Sequence, residues 1–226
     1  MDNLYDSIPE NDDLLKPSAD TIQHLKSLRL RSGSTVQVLN GKGLTALCRI
    51  ETPGVLRVIS RTLAPEPLVT VLCLGITDSK SRIEFTVEKA TELGITHIVP
   101  VHTERSQFFR TSVERMRLKC VAALMQSGNP WLPQVHEPVG LAEAAEFCLQ
   151  HGAKLMYGSQ NADESNVDHV RSVPVALFIG PEGGFTLAEE AHLQRLHATA
   201  VRLGRYRLRT ETAAIAMMAA VQRIRI

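Results

Sequence analysis

From residue 68 onward, short apolar runs alternate with segments whose apolar residues recur at helical spacing, and that alternation leaves few folds open. Leu68 to Leu74 is an essentially continuous apolar run, the pattern of a strand buried on both faces. Ile83, Val87, Ala90 and Leu93 then fall on one face of a helix, and Gly94 is placed to end it. Ile95 to Val101 reads as a second strand. Helices are expected over 112–127 and 141–151, with short strands at Lys154–Tyr157 and Val175–Ile179. Strands alternating with helices predict a mainly parallel α/β sheet.

The first third of the chain is different. Ile22, Leu25 and Leu28 sit at helical spacing, with Gly33 beyond them. Thr35 to Leu39 and Leu44 to Ile50 flank the turn residues Asn40–Gly43, which predicts a hairpin, and Val55 to Ile59 predicts a third strand. Ala64-Pro65-Glu66-Pro67 breaks both helix and ladder. Two domains are therefore expected: residues 1–64, small and β-rich, and residues 68–226, α/β.

Met1 to Asp20 is acidic and interrupted by Pro9 and Pro17, unlike a signal peptide. No apolar stretch approaches the ~20 residues of a membrane helix, so a cytoplasmic protein without membrane contact is expected. Cys48, Cys73, Cys120 and Cys148 are too far apart in sequence for a Cys-x-x-Cys pair, and no metal is expected. Net charge is only +1, from 25 basic and 24 acidic residues. That argues against coating RNA by charge alone and leaves a local basic face open.

Two segments carry the chemistry. Ile179-Gly180-Pro181-Glu182-Gly183-Gly184-Phe185-Thr186 follows the expected strand Val175–Ile179, and Thr186 with Glu189 forms a capping box that opens a helix to about His197. A glycine-rich turn at the C-terminal end of a buried strand lies where open α/β sheets bind ligands, and it lets a ligand reach the backbone. It matches neither the P-loop nor the dinucleotide fingerprint, so phosphate is not the obvious ligand. The second segment, Leu203-Gly204-Arg205-Tyr206-Arg207-Leu208-Arg209-Thr210-Glu211-Thr212-Ala213, follows a short expected strand at Ala200–Leu203. It leads into Ala213–Val221, nine residues without a polar side chain. A helix apolar all round is expected to be buried on every side, within the chain or against a partner. Arg209 and Glu211 sit where that helix begins. They read either as a surface ion pair or as a cation and a carboxylate beside the glycine-rich turn.

Together these segments resemble the signature of the RsmE-type ribosomal RNA methyltransferases, members of the α/β-knot (SPOUT) superfamily. Gly-Pro-Glu-Gly-Gly stands at Gly180–Gly184, and Leu-Gly-x-x-x-Leu-Arg-x-Glu-Thr-Ala stands at Leu203–Ala213. Upstream, Arg82-Ile83-Glu84, Glu88–Gly94, Thr103–Ser106, Gln126–Gly128 and the His24–Gly33 region are similar to family segments in the same order. The chain departs from the family pattern at Met125 and Asn129, at Asp78 and Ser79, and at Gly158-Ser159-Gln160.

The resemblance implies an N-terminal PUA-like β-barrel that holds RNA and a C-terminal α/β-knot domain with a deep trefoil knot. It implies S-adenosylmethionine as cofactor, held by Ile179, Gly180, Pro181, Glu182, Gly183, Gly184, Leu203, Gly204 and Leu208. It implies a homodimer acting on ribosomal RNA of the small ribosomal subunit, with methyl transfer to N3 of a uridine. Arg209 is the candidate for stabilising negative charge on the uracil, with Glu211 orienting Arg209 or the cofactor. Arg29, Arg31, Lys80, Arg82 and Arg105 are candidates for holding RNA. The alternatives are a ribose 2′-O-methyltransferase, whose Ser-Leu-Asn run is not found in the last motif, and a non-catalytic RNA-binding assembly factor.

Overall fold

The computed structural model describes residues 1–9, 12–52, 54–106, 112–162, 167 and 170–225. These form two compact units: Met1–Glu66 with Val121–Leu132, and Pro67–Cys120 with Pro133–Ile226.

The first unit holds β1 (Asn3–Tyr5), β2 (Leu14–Leu15), α1 (Ala19–Ser27), β3 (Thr35–Leu39), β4 (Leu44–Thr52) and β5 (Val55–Leu63). The expected hairpin is present: β3 and β4 pair antiparallel from Thr35↔Arg49 to Leu39↔Thr45. The third strand runs past Ile59 to Leu63 and pairs with β4 across two register shifts. β1 joins β3 in parallel and β2 joins β5 antiparallel, giving the order β1-β3-β4-β5-β2. Both added strands lie in the acidic N-terminal stretch and are too short for alternation to show. Leu4, Leu15, Leu25, Val36, Val38, Ala46, Ile50 and Leu56 form the core. Ser18 caps α1 by accepting from the Thr21 amide.

The second unit is the α/β sheet. Its elements are β6 (Thr70–Gly75), α2 (Lys80–Glu92), β7 (His97–His102), α3 (Val113–Ser127, whose last residues belong to the first unit), β8 (Gln134–Val135), β9 (Val139–Gly140), α4 (Leu141–Gln150), β10 (Lys154–Gly158), β11 (Val175–Ile179), α5 (Leu187–Arg195), β12 (Thr199–Val201) and α6 (Thr210–Arg223). The strand order is β12-β10-β11-β6-β7-β8, with β9 also on β7, and every pairing is parallel. β6 and β11 are buried at every residue, as their unbroken apolar runs require. One face, with Val71, Cys73, Tyr157 and Phe178, packs with Leu141, Ala144, Ala145 and Cys148 of α4 and Leu193 of α5. α6 packs against β6, β11 and α2. The four cysteines are buried free thiols. Among the described residues no helix is long and apolar enough to cross a membrane.

Within this chain α6 is covered on one face only. α6 is not buried on every side: Ala214, Met217, Met218 and Val221 are buried, Ala219 is exposed, and Ile215, Ala216 and Ala220 are partly exposed. Small alanines let one face pack tightly while the other stays in contact with water. The last strand is also shorter and earlier than expected, at Thr199–Val201.

A histidine cluster lies behind β7. His97 Nδ1 is 3.1 Å from His136 Nε2, and the His151 ring centroid is 5.4 Å from that of His97. Phe147 packs against all three rings. Burial, then the neighbouring His136 and His151, push His97 down to about 4. Burial and His151 also lower His136. The folded state therefore favours neutral His97 and His136, whereas the unfolded chain takes up protons below about 6.5. His97 thus contributes stability that is present above 6.5 and lost as pH falls toward 4. Denaturant midpoints should drop over that range, and His97→Phe should flatten the drop relative to wild type. Equal slopes for the two proteins would remove the cluster as the cause.

Candidate active site

Because the strands are parallel, the loops that follow β6, β10, β11 and β12 all leave the same edge of the sheet. The last three lie side by side after neighbouring strands and enclose one cavity of about 310 Å³, within the range of small-molecule sites. Its walls are Gly158–Asn161 after β10, Ile179–Phe185 after β11, and Arg202–Gly204 with Tyr206–Leu208 after β12. Thr210 and Ala213 of α6, Arg105 and Glu190 complete it.

The turn after β11 is fixed from several sides. Gly184 donates its amide to Pro181 O at 2.8 Å and has φ +68°, a left-handed conformation that favours glycine. A Cβ on Gly75, at the end of β6, would lie 2.6 Å from Pro181 N, so only glycine lets the two backbones come this close. Thr186 caps α5, and the Glu189 side chain closes the capping box. Glu189 is buried and also accepts from the Glu104 amide at 2.9 Å, tying the 103–106 loop to this turn.

α6 is joined to the turn directly: the Thr210 hydroxyl donates to Gly180 O at 3.0 Å. Arg207 donates to Glu182 O at 2.6 Å. The amides of Gly204 to Leu208 have no backbone partner among the described residues. They are available to a ligand or to water.

All nine expected cofactor residues, Ile179–Gly184 with Leu203, Gly204 and Leu208, line this cavity. Arg105 also lines it, but its guanidinium donates to Gly183 O (2.7 Å) and Phe185 O (3.2 Å), so it holds the turn. Arg82 is 2.9 Å from Glu182, 3.8 Å from Glu211 and 3.9 Å from Asp78. It is thus surrounded by three carboxylates from three segments. Lys80 is exposed at the start of α2 and lines a separate open depression with Arg82 and Arg115.

Arg209 and Glu211 do not line the cavity but flank Thr210, which does. Arg209 is exposed, and its guanidinium has no partner among the described residues. The Glu211 side chain is 14% exposed, and its Oε2 is buried without a hydrogen-bond partner. The alternative of an Arg209–Glu211 ion pair is not what forms, since Glu211 faces Arg82. Arg29 and Arg31 are exposed in the first unit, just after α1. Sequence reasoning missed Thr210, Gly75, Glu189 as a loop tie, and the 158–161 wall. Glu189 carried a signal as the N3 member of the capping box, Thr210 stood inside the second motif without a role, and Gly158-Ser159-Gln160 stood out only as a departure from the family pattern.

A glycine-rich cavity at the C-terminal edge of a parallel sheet, lined by Glu182, Glu190 and exposed arginines, stands where α/β enzymes bind their ligands. Residues 64–222 match the family described as RNA methyltransferase domain, and residues 18–58 match the RNA methyltransferase PUA domain. The chain belongs to the RNA methyltransferase domain family. It is similar to the structure of ribosomal RNA small subunit methyltransferase E from Neisseria gonorrhoeae bound to S-adenosyl methionine. That match has 29% identity, a TM-score of 0.88, and covers 99% of this chain and 97% of that one. A methyltransferase from Legionella pneumophila in complex with the same cofactor matches at 27% identity and TM-score 0.85, over 98% and 96% of the two chains. The ribosomal RNA small subunit methyltransferase E of Mesomycoplasma hyopneumoniae is 25% identical, over 88% of this chain and 89% of its own length.

The position of Arg82 generates a prediction. Arg82→Ala should speed amide hydrogen exchange at residues 182–185. Global stability should change by only about 1 kcal/mol or less, since the Arg82–Glu182 pair is partly exposed. Unchanged exchange in the turn would show that Arg82 does not hold it.

Proposed function

We propose that this chain transfers a methyl group from S-adenosylmethionine to N3 of a uridine in small-subunit ribosomal RNA. The observation that carries the reading is the convergence of both glycine-rich segments on one cavity in a chain of this family. The cavity suits the cofactor chemically. Apolar Ile179, Leu203 and Leu208 would flank a neutral base, and the backbone amides of 204–208, without a backbone partner among the described residues, would supply donors. When bound, the cofactor supplies an electrophilic methyl group on a sulfonium, already reactive, so the protein's task is alignment and charge.

Uridine N3 is a weak acid and must lose its proton before or during transfer. Arg209, exposed and unpaired beside Thr210, stabilises the negative charge that develops on the uracil oxygens. Glu211 completes the carboxylate set around Arg82, and its unpartnered Oε2 is an acceptor for a donor from cofactor or substrate.

The finer structural reading goes with this function. Residues 1–64 act as the RNA-holding domain, a small barrel using Arg29 and Arg31, and residues 68–226 as the catalytic domain, with Lys80 a further contact for RNA. A trefoil knot is supported by the path of α6, which follows the edge strand β12 yet packs on β6, β11 and α2 in the middle of the sheet. A homodimer is supported by the partly exposed apolar face of α6, with Ile215, Ala216 and Ala219. A substrate in the small subunit implies a cytoplasmic protein.

The test uses labelled S-adenosylmethionine and small subunits from cells lacking this protein, followed by nucleoside analysis. Wild type should produce N3-methyluridine, and Arg209→Ala should lower kcat by about 10²-fold or more, as expected for loss of a charge-stabilising donor. Full activity in the variant would discard the role of Arg209 and leave the reaction. Label in a ribose methyl group, or none despite cofactor binding, would overturn the reaction.

A further inference from the structure

The segment Arg202–Arg209 contains four arginines and no acidic residue. The whole chain has a net charge of only +1, so the rest of it is net negative and this loop is a local positive focus. All four arginines are exposed, and none forms a salt bridge among the described residues. Arg202 and Arg207 line the cavity.

In the middle of this loop is Tyr206. Its neighbours Arg205 and Arg207 occupy, with it, the three variable positions of Leu-Gly-x-x-x-Leu-Arg. The motif thus leaves the identity of the aromatic position open. Tyr206 lines the cavity and is also 75% exposed. By contrast, Tyr157 is 1% exposed and Tyr5 is partly buried. The Arg205 guanidinium carbon lies 5.7 Å from the Tyr206 ring centroid, within cation–π range. The loop is anchored just after the ring, where Arg207 donates to Glu182 O and Thr210 donates to Gly180 O. The ring is thus presented on a fixed support at the cavity mouth.

An exposed aromatic ring among unpaired cations is the surface that single-stranded nucleic acid recognises, with phosphates on the arginines and a base on the ring. A base that is modified at an edge used for pairing must leave its stack to reach the cavity. We infer that Tyr206 is the stacking platform for the nucleobase that enters this cavity, with Arg205 and Arg202 holding the adjoining phosphates. This rests on the methyl-transfer reading above and adds to it the residue that receives the unstacked base. Ring area and π-face supply the contact, so the hydroxyl is not required.

The experiment compares full-length wild type, Tyr206→Phe, Tyr206→Leu and Arg205→Ala. Each is assayed for S-adenosylmethionine Kd by calorimetry, and for methyl transfer to small subunits from cells lacking this protein at several salt concentrations. Tyr206→Phe should stay within about twofold of wild type. Tyr206→Leu should lower kcat/KM by about 5- to 150-fold, the range of one base–aromatic stack. Its cofactor Kd should stay within about twofold, and its salt dependence should match wild type. Arg205→Ala should instead flatten the salt dependence.

A Tyr206→Leu protein as active as wild type would overturn the inference. So would a cofactor Kd that weakens in step with activity, because the ring would then serve the cofactor. If wild type binds cofactor but methylates no subunit, the reaction is what fails. Stacking is then decided by equilibrium binding of the subunits, where equal affinity of wild type and Tyr206→Leu rejects it and a weaker variant supports it.

Discussion

The hydrogen bond from the Thr210 hydroxyl to Gly180 O at 3.0 Å joins the two segments on which the site is built. One end belongs to the turn after β11 and the other to the first turn of α6. Every other feature of the site is arranged around that junction. Gly75 allows the turn to press against the end of β6. Glu189 ties the turn to the 103–106 loop, and Arg207 ties the 202–209 loop back to Glu182. Loops usually have the freedom to drift. Here the backbones of two loops are held to within hydrogen-bonding distance of the same few residues, which is what a site that must align two reactants needs.

Parallel pairing explains why the junction exists at all. β12, β10, β11 and β6 are neighbours in that order and point the same way, so the loops that follow them leave one edge together. The chain order of these strands is not their spatial order. β6 is formed first and ends up beside β11, while β12, formed last, takes the far edge. α6 must then return from that edge to cover β6 and β11. The return path is what brings Thr210 over Gly180.

Much of this was legible in the sequence, and the limits are physical. The fully buried strands β6 and β11 announced themselves as unbroken apolar runs, and the capping box located the start of α5. The nine cofactor candidates came from a motif and now share one cavity wall. The three-residue strand β1 and two-residue strand β2 were invisible, because so short a segment has no period to detect. α6 was legible only in part. Nine apolar residues signal burial, but Ala213, Ile215, Ala216, Ala219 and Ala220 are partly or fully exposed in the chain, and four of these are alanines, small enough to tolerate it. Arg82 and Arg105 were read as free cations because sequence does not show partners at separations of 100 and 78 residues. In the fold both are spent on the glycine-rich turn.

The distribution of charge around the cavity then resolves an apparent conflict. On the proposed reading the site takes a cationic sulfonium and an anionic RNA, and four arginines stand at its mouth. Like charges in a shared pocket would oppose cofactor binding. Acids offset them: Glu182 and Glu190 also line the cavity, and Glu211 lies mostly buried next to it. The arginines are exposed, where water and salt screen them over roughly 8 to 10 Å. Carboxylates beside screened, exposed arginines let the loop attract phosphate without strongly opposing a cation within. A chain with a net charge of only +1 can therefore handle RNA, provided its positive charge is concentrated at the one loop where the base must enter.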